Sequence, residues 1–212
     1  TPTTVAFASD HACQLLITHH PVLVEPVKNL VPDTLAKKTL LQAARMDVDI
    51  LSLHTNLDAA GQGLNDEFAR LIGLEDVFTP RDASCARQGR LRAPMRVRDL
   101  AVKVCRDLNI PRAAITSDAE RIVETVFCVT GSGMGYLKHA IGTGADVMVT
   151  GDVRYHAARE AAVAGIPVID AGHFGLEKIA IPLLFRSFQR QFDSLGLEVS
   201  CVCCDLEEEP FV

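Results

Sequence analysis

The chain has 212 residues, of which 48% are hydrophobic and 23% charged, and its formal net charge is -6 at pH 7. That apolar content is enough for one large core or two smaller lobes and excludes a disordered chain; the acidic balance argues against nucleic acid as a partner, because neutralising phosphates takes concentrated Lys and Arg. No apolar run approaches the ~20 residues of a membrane-spanning helix, and no basic start leads into an apolar signal region, so the expectation is a cytoplasmic protein with no membrane partner.

Taken in chain order, TPTT places Thr1 as an N-cap with Pro2 at the first helical position, where a missing N–H costs nothing. QLLIT (14–18) then reads as a buried strand, and it ends in His19, His20 and Pro21. Asp33 or Thr34 starts a helix carrying Leu35, Leu40, Leu41 and Ala44. The next strand, VDILSLH (48–54), ends at His54, with Asp58 four residues on. LNDEFARLIGL (64–74) is a short amphipathic helix closing at Gly73.

Composition changes at the polar, Arg-rich stretch 79–96. This makes it the expected connection between an N-terminal lobe (1–78) and a C-terminal lobe (97–212). Arg87, Arg90, Arg92, Arg96 and Arg98 form the most basic region of the chain, readable as a solvated loop or as an attractor for a small anionic ligand. VRDLAVKVCRDL (97–108) has helical apolar spacing at Val97, Leu100, Ala101, Val104 and Leu108, and short strands are expected at 112–116 and 124–130.

The second half alternates regularly. ETVFCVT is a strand, GSGMG a tight turn, YLKHAIGTG a helix, ADVMVTGD a strand, VRYHAAREAAVAG a helix and IPVIDAG a strand. HFGLEKIAIPLLFRSFQRQF reads as one long helix bent or shifted at Pro182, and LEVSCVCC as a last strand. This rhythm predicts an α/β fold: two α/β lobes with mostly parallel sheets flanked by helices. GSGMG lacks the Lys and the Ser or Thr of a phosphate loop, so a turn is expected there rather than a nucleotide site. The seven cysteines are an odd count without disulfide-scaffold spacing, which suits a reducing compartment. Within SCVCCD, Cys201 and Cys203 alternate with Val202 as in a strand, and no second cysteine pair completes a four-thiolate set.

Four strand ends share one chemistry: His19 and His20; His54 and Asp58; Asp152 and His156; His173 and Glu177. In open α/β sheets the carboxyl ends of the strands face a common crevice, which is where ligands bind. Imidazoles mixed with carboxylates suit zinc, manganese, iron or nickel rather than magnesium or calcium. His173 and Glu177, one helical turn apart, can reach the same point, and a carboxylate has two oxygens with which to bridge two ions. Taken alone, His54 or His156 would read as a hydrogen-bonded structural residue. His11 and His139 lack the strand-end context.

In order and spacing, LLITHHPV, LHTNLDA, VTGDVRYHAAREAA and IDAGHFGLEK resemble the signature blocks of the NIF-three-like proteins, often labelled GTP cyclohydrolase 1 type 2 homologues. The resemblance implies a two-lobed α/β fold, a toroidal homohexamer and a dinuclear divalent-metal centre lying between the lobes. By motif position the implied ligands are His19, His20, Asp58, His173 and a bridging Glu177. His54 and His156 fall at recurrent positions where they would orient ligands, face substrate or carry protons. The expected activity is metal-dependent hydrolysis of a nucleotide-like or other anionic substrate, with a non-enzymatic hexameric metal-binding scaffold as the alternative. The chain departs from the pattern in lacking a Trp, an initial strand before Thr1 and the inserted domain of some relatives, so a first strand is expected to be missing from the N-terminal sheet.

Overall fold

Thr1 caps the first helix as its position suggests. Its side-chain oxygen accepts from the Thr4 N–H, the Thr4 hydroxyl is 2.9 Å from the Thr1 amino group, and α1 runs Pro2–Asp10. The structure, a computed structural model, describes residues 1–211. Strands β1 (Leu15–Thr18) and β2 (Asp49–Ser52) pair in parallel, with Leu15 opposite Asp49 and Thr18 opposite Ser52. The crossover between them carries α2 (Leu35–Arg45), capped by Thr34, whose hydroxyl accepts from Lys37 N at 3.3 Å. β1 is not the buried strand expected, since Leu15 is 48% exposed. A two-stranded sheet gives each strand only one neighbour, so neither can be enclosed.

Contacts divide the chain into two compact units. One comprises Thr1–Leu57 and the chain from Leu184 onward; the other is Asp58–Leu183. The boundary expected at 79–96 is therefore corrected. Arg87–Arg96 is not a linking loop but a strand, β4, paired antiparallel with β3 (Leu74–Phe78) on one side and β6 (Ile122–Ser132) on the other. Its arginines hide the strand in the sequence because acids neutralise them. Arg87 pairs with Asp66, Arg90 with Glu124 at 2.5 Å, and Arg96 with Glu120 at 3.6 Å. A free basic loop able to draw in an anionic ligand is thus not what this stretch forms.

The second unit is built on a six-stranded sheet of order β3-β4-β6-β7-β8-β5, completed by β5 (Ala114–Ile115), β7 (Val147–Gly151) and β8 (Val168–Asp170). The parallel pairing expected of an α/β fold is found at β1–β2 and through β6–β7–β8, while the flanking pairs are antiparallel. Helices α6 (Leu137–Gly142), preceded by a 3-10 turn at Met134–Tyr136, and α7 (Tyr155–Val163) make the two parallel crossovers. Every residue of β7 is buried, which explains why VMVT reads as an unbroken apolar run rather than an alternating one. Phe127, Met148 and Val168 of the sheet pack with Leu137, Ala140, Ala161 and Ile166 in one core. Helix α4 (Leu64–Leu71) buries Leu64, Phe68 and Ala69, and α5 (Val97–Leu108) buries all five of its predicted apolar positions.

Two later elements differ from expectation. The long helix is two: α8 (His173–Glu177) and α9 (Ala180–Leu195). Pro182 sits in the first turn of α9, where it is tolerated; a continuous helix would set its ring against the carbonyl of Lys178, and the break falls there. The last strand does not form, because no helix or strand occurs from Leu197 to Phe211. Among the described residues no helix is long and apolar enough to cross a membrane.

Candidate metal centre

In the first unit, the register that sets Thr18 beside Ser52 makes the two strands end together, so His19 and His20 leave the sheet next to Leu53 and His54. The backbone there is fixed by hydroxyls. Thr18 Oγ donates to the His20 carbonyl at 2.9 Å and lies 3.0 Å from Ser52 Oγ, which reaches the same carbonyl at 3.4 Å. His19 Nδ1 is 2.8 Å from the Leu53 carbonyl. Only a protonated nitrogen can face a carbonyl oxygen, so Nδ1–H donates, and in the neutral ring Nε2 carries the lone pair. The rings of His19, His20 and His54 stand 5.1, 5.3 and 5.2 Å apart, centroid to centroid, and one nitrogen from each lies within 4.8 Å of the others. Three imidazoles so close repel when protonated and share a cation readily when neutral. His54, expected beside the ligands, stands as near as either of them.

In the second unit, the exits of β7 and β8 build a different donor group. Asp152 follows β7 in the left-handed region at φ 55°, and Gly172, at φ 74°, turns the chain from β8 into α8. Asp170 ties the two exits: its Oδ2 accepts from Val153 N and its Oδ1 from Gly172 N, both at 3.0 Å. His173 lies between two carboxylates, with Nδ1 2.7 Å from Asp152 Oδ2 and Nε2 3.0 Å from Glu177 Oε2. Partial burial disfavours the charged ring, but the Asp152 hydrogen bond and the charges of Glu177 and Asp152 outweigh it, and the pKa is raised.

Backbone of β6 closes against this pair. Its pairing with β7 shifts register between Cys128 and Ser132, and Gly131 lies in the shift with φ 61°. A Cβ on Gly131 would collide with Glu177 Oε1 and come 3.4 Å from His173 Nε2. One added to Gly151 would meet backbone of Gly172 at 2.8 Å and of Gly131 at 2.9 Å. GSGMG is not the tight turn expected, since Gly131 and Ser132 close β6 and Met134 opens the 3-10 turn, and its first glycine is the bare wall of the His173–Glu177 pair.

Asp58 lies on α3 (Thr55–Ala59), and its Oδ1 is buried. Its carbonyl accepts from Asn65 Nδ2 at 3.2 Å, while Asn65 Oδ1 accepts from Thr130 N at 2.8 Å, next to Gly131. Asn65 is 0% exposed, so it clamps the Asp58 backbone to β6 from inside the core. Replacing Asn65 by Leu leaves the Thr130 N–H and the Asp58 C=O without their partner; at about 1–3 kcal/mol for each group, a loss of roughly 2–6 kcal/mol is expected. Urea denaturation measures it, and a loss under ~1 kcal/mol would show that the clamp contributes little. Tyr136 has its phenol pKa raised, first by burial and then by Cys85 and Asp58.

His156 does not join these groups. It is exposed on α7, edge-on to Tyr155 at 5.4 Å. Of the residues with a part in the site, the roles of Asp152, Asn65 and Gly131 are not readable from the sequence. Asp152 does stand at a strand end, but its partner lies 21 residues away. The donor chemistry suits a divalent ion of the zinc, manganese, iron or nickel class, with imidazole nitrogens in one unit and an imidazole–carboxylate pair backed by bare glycine in the other.

The sequence model of a family described as Duf34/NIF3 (NGG1p interacting factor 3) matches residues 1–210. Relatives named GTP cyclohydrolase 1 type 2 homolog include one from Clostridium acetobutylicum, 25% identical over 211 residues that cover 96% of this chain and 79% of that protein. Another, from Nostoc sp., is 30% identical over 197 residues covering 89% and 75%. Among solved structures, a Bacillus cereus protein related to NIF3 superposes with a TM-score of 0.92 at 21% identity, over 100% of this chain and 86% of that one, a likeness of fold. Reduced HcgD from Methanocaldococcus jannaschii gives 0.74 at 25% identity, over 93% and 77%.

Proposed function

The chain belongs to the Duf34/NIF3 family, and from that premise we propose that it is a hydrolase with a dinuclear divalent-metal centre. The observation that carries the reading is the imidazole trio of His19, His20 and His54, in which the Leu53 carbonyl already commits His19 to presenting Nε2. His19, His20, Asp58, His173 and Glu177 are the residues that would hold the ions, and Glu177, with two carboxylate oxygens, is the one that would serve both. Divalent ions held there would supply an activated water at neutral pH and stabilise charge developing on the attacked group.

The chain's own residues do the rest. Asp152 holds His173 Nδ1 and so turns Nε2 toward Glu177, a type of support whose loss commonly costs about 10–100-fold in metal affinity. Gly131 leaves Glu177 the room a side chain would take. His54, edge-on to both His19 and His20, is proposed to carry a proton from the attacking water. His156, exposed on the α7 helix, is proposed to face substrate. An anionic, nucleotide-like substrate suits a doubly cationic centre and the name of the relatives, and a homohexamer is the proposed assembly, checked by the mass of the particle in solution.

The test is a panel of nucleotides and phosphoesters offered to the metal-loaded protein. Turnover is expected with at least one, falling ~10²–10⁴-fold in His54→Gln at unchanged metal content. If His54→Gln loses metal instead, His54 is a ligand and not the proton carrier. A fully loaded protein that turns over nothing favours the non-enzymatic metal-binding scaffold.

A further inference from the structure

The six-stranded sheet of the second unit bears a cavity at the end away from Gly131. Phe78 stands directly opposite Gln88, Gln88 opposite Phe127 and Arg90 opposite Thr125, so these side chains share one face of β3, β4 and β6. Helix α6 packs Leu137 and Ala140 with Phe127 but stops at Gly142, and the face beyond it is left open. The cavity there has a volume of about 400 Å³, within the range of small-ligand sites. Phe78, Gln88 and Arg90 line it from the sheet, Thr143 and Gly144 from the turn after α6, and Asp76 from the bulge in β3, where its φ is 51°. Along β6, Thr125 precedes Gly131 by about 20 Å at ~3.3 Å per residue, so the cavity lies apart from the His173–Glu177 pair.

The lining is rich in acceptors. Gln88 is 4% exposed; its Nε2 donates to the Thr143 carbonyl at 3.3 Å, which fixes the amide, and its buried Oε1 has no partner among the described residues. The Thr143 hydroxyl spends its proton on the His139 carbonyl at 2.8 Å and keeps lone pairs to offer. Among the described residues no cation pairs with the Asp76 carboxylate, whereas the Arg90 guanidinium is already held by Glu124 at 2.5 Å. Phe78, 50% exposed, adds an open ring face, and Gly144, with nothing within 4 Å of an added Cβ, keeps the rim clear. Acceptors beside an aromatic ring call for a flat ligand that brings the donors. We propose that this cavity binds a planar nitrogen heterocycle of the amino-substituted purine class, stacked on Phe78 and donating its N–H groups to Asp76 and to Gln88 Oε1. A buried acceptor without a donor costs free energy, and such a ligand recovers it. The site is independent of the metal centre.

The probe is 2-aminopurine, whose own fluorescence anisotropy reports binding to the full chain kept metal-free with a chelator. Saturable one-to-one binding is expected, and purine, which lacks the amino group, is expected to compete at least ~10-fold less well. Phe78→Ala is expected to weaken binding at least ~5-fold by removing the stack. Asp76→Asn, which keeps a residue type that tolerates the left-handed backbone, is expected to weaken it at least ~10-fold. Gln88→Met is expected to weaken it at least ~5-fold, with a far-ultraviolet dichroism spectrum that matches wild type. Glu177→Gln is expected to bind the probe as wild type does. No saturation by ~1 mM probe, equal binding of purine, or wild-type affinity in Asp76→Asn overturns the proposal. Loss of binding in Glu177→Gln also overturns it, because the probe would then sit at the metal centre.

Discussion

Replacing Gly131 by Ala is expected to destabilise the protein by about 1–3 kcal/mol and to strip metal from the His173–Glu177 pair. The two effects have separate causes. At φ 61° an alanine occupies a region that L-residues enter only under strain, and its methyl group collides with Glu177 Oε1. Relief requires Glu177 to swing away, and the carboxylate then no longer faces His173 Nε2. Urea unfolding of the metal-free protein isolates the first effect, and metal titration by calorimetry reads the second. Gly135→Ala is the control, since nothing lies within 4 Å of an added Cβ there. Should Gly131→Ala bind metal with wild-type affinity, the glycine serves the backbone alone and is no wall of the site.

A larger loss of stability, about 3 kcal/mol or more, is expected for Arg87→Met. The Arg87 side chain is only 2% exposed, and its guanidinium donates to the carbonyls of Ser84 at 2.9 Å, Ala86 at 2.8 Å and Ala60 at 2.9 Å while pairing with Asp66. Methionine fills much of the volume but leaves those carbonyls without donors and Asp66 without its cation. The Asp66 side chain is 31% exposed, so water recovers part of its solvation, which holds the estimate to the lower end of the ~3–5 kcal/mol range for a broken buried pair. Arg87→Lys is expected to rescue little, because a single ammonium cannot serve carbonyls spread around a planar fork. Denaturant midpoints of the three proteins decide it: Lys near wild type would mean that charge, and not the fork, holds the site.

How much of this was legible in the sequence depends on the reach of the interaction concerned. Thr1, Thr34 and the α5 stripe were readable because a helix cap and a 3.6-residue period act within a few positions. The histidines after β1 and β2 were readable because parallel strands carry their ends to the same edge, which makes a strand-end imidazole conspicuous. β4 was not, since an arginine-rich strand is recognisable only once Asp66 and Glu124 are seen to neutralise it. The last strand is absent for the converse reason: Cys201, Val202 and Cys203 have the alternation of a strand but pair with no strand among the described residues. Asn65 and Asp152 act on partners 65 and 21 positions away, and no local pattern marks such a hydrogen bond.

The proposed pair of divalent ions sharing Glu177 can be counted. The direct measurement is the metal content of the native chain, by elemental mass spectrometry against protein concentration, beside that of Glu177→Gln purified in the same way. Two ions per chain are expected in the native protein and a loss of at least one in the variant; an unchanged content would contradict the shared carboxylate, and a native chain that holds no divalent metal would contradict the centre itself.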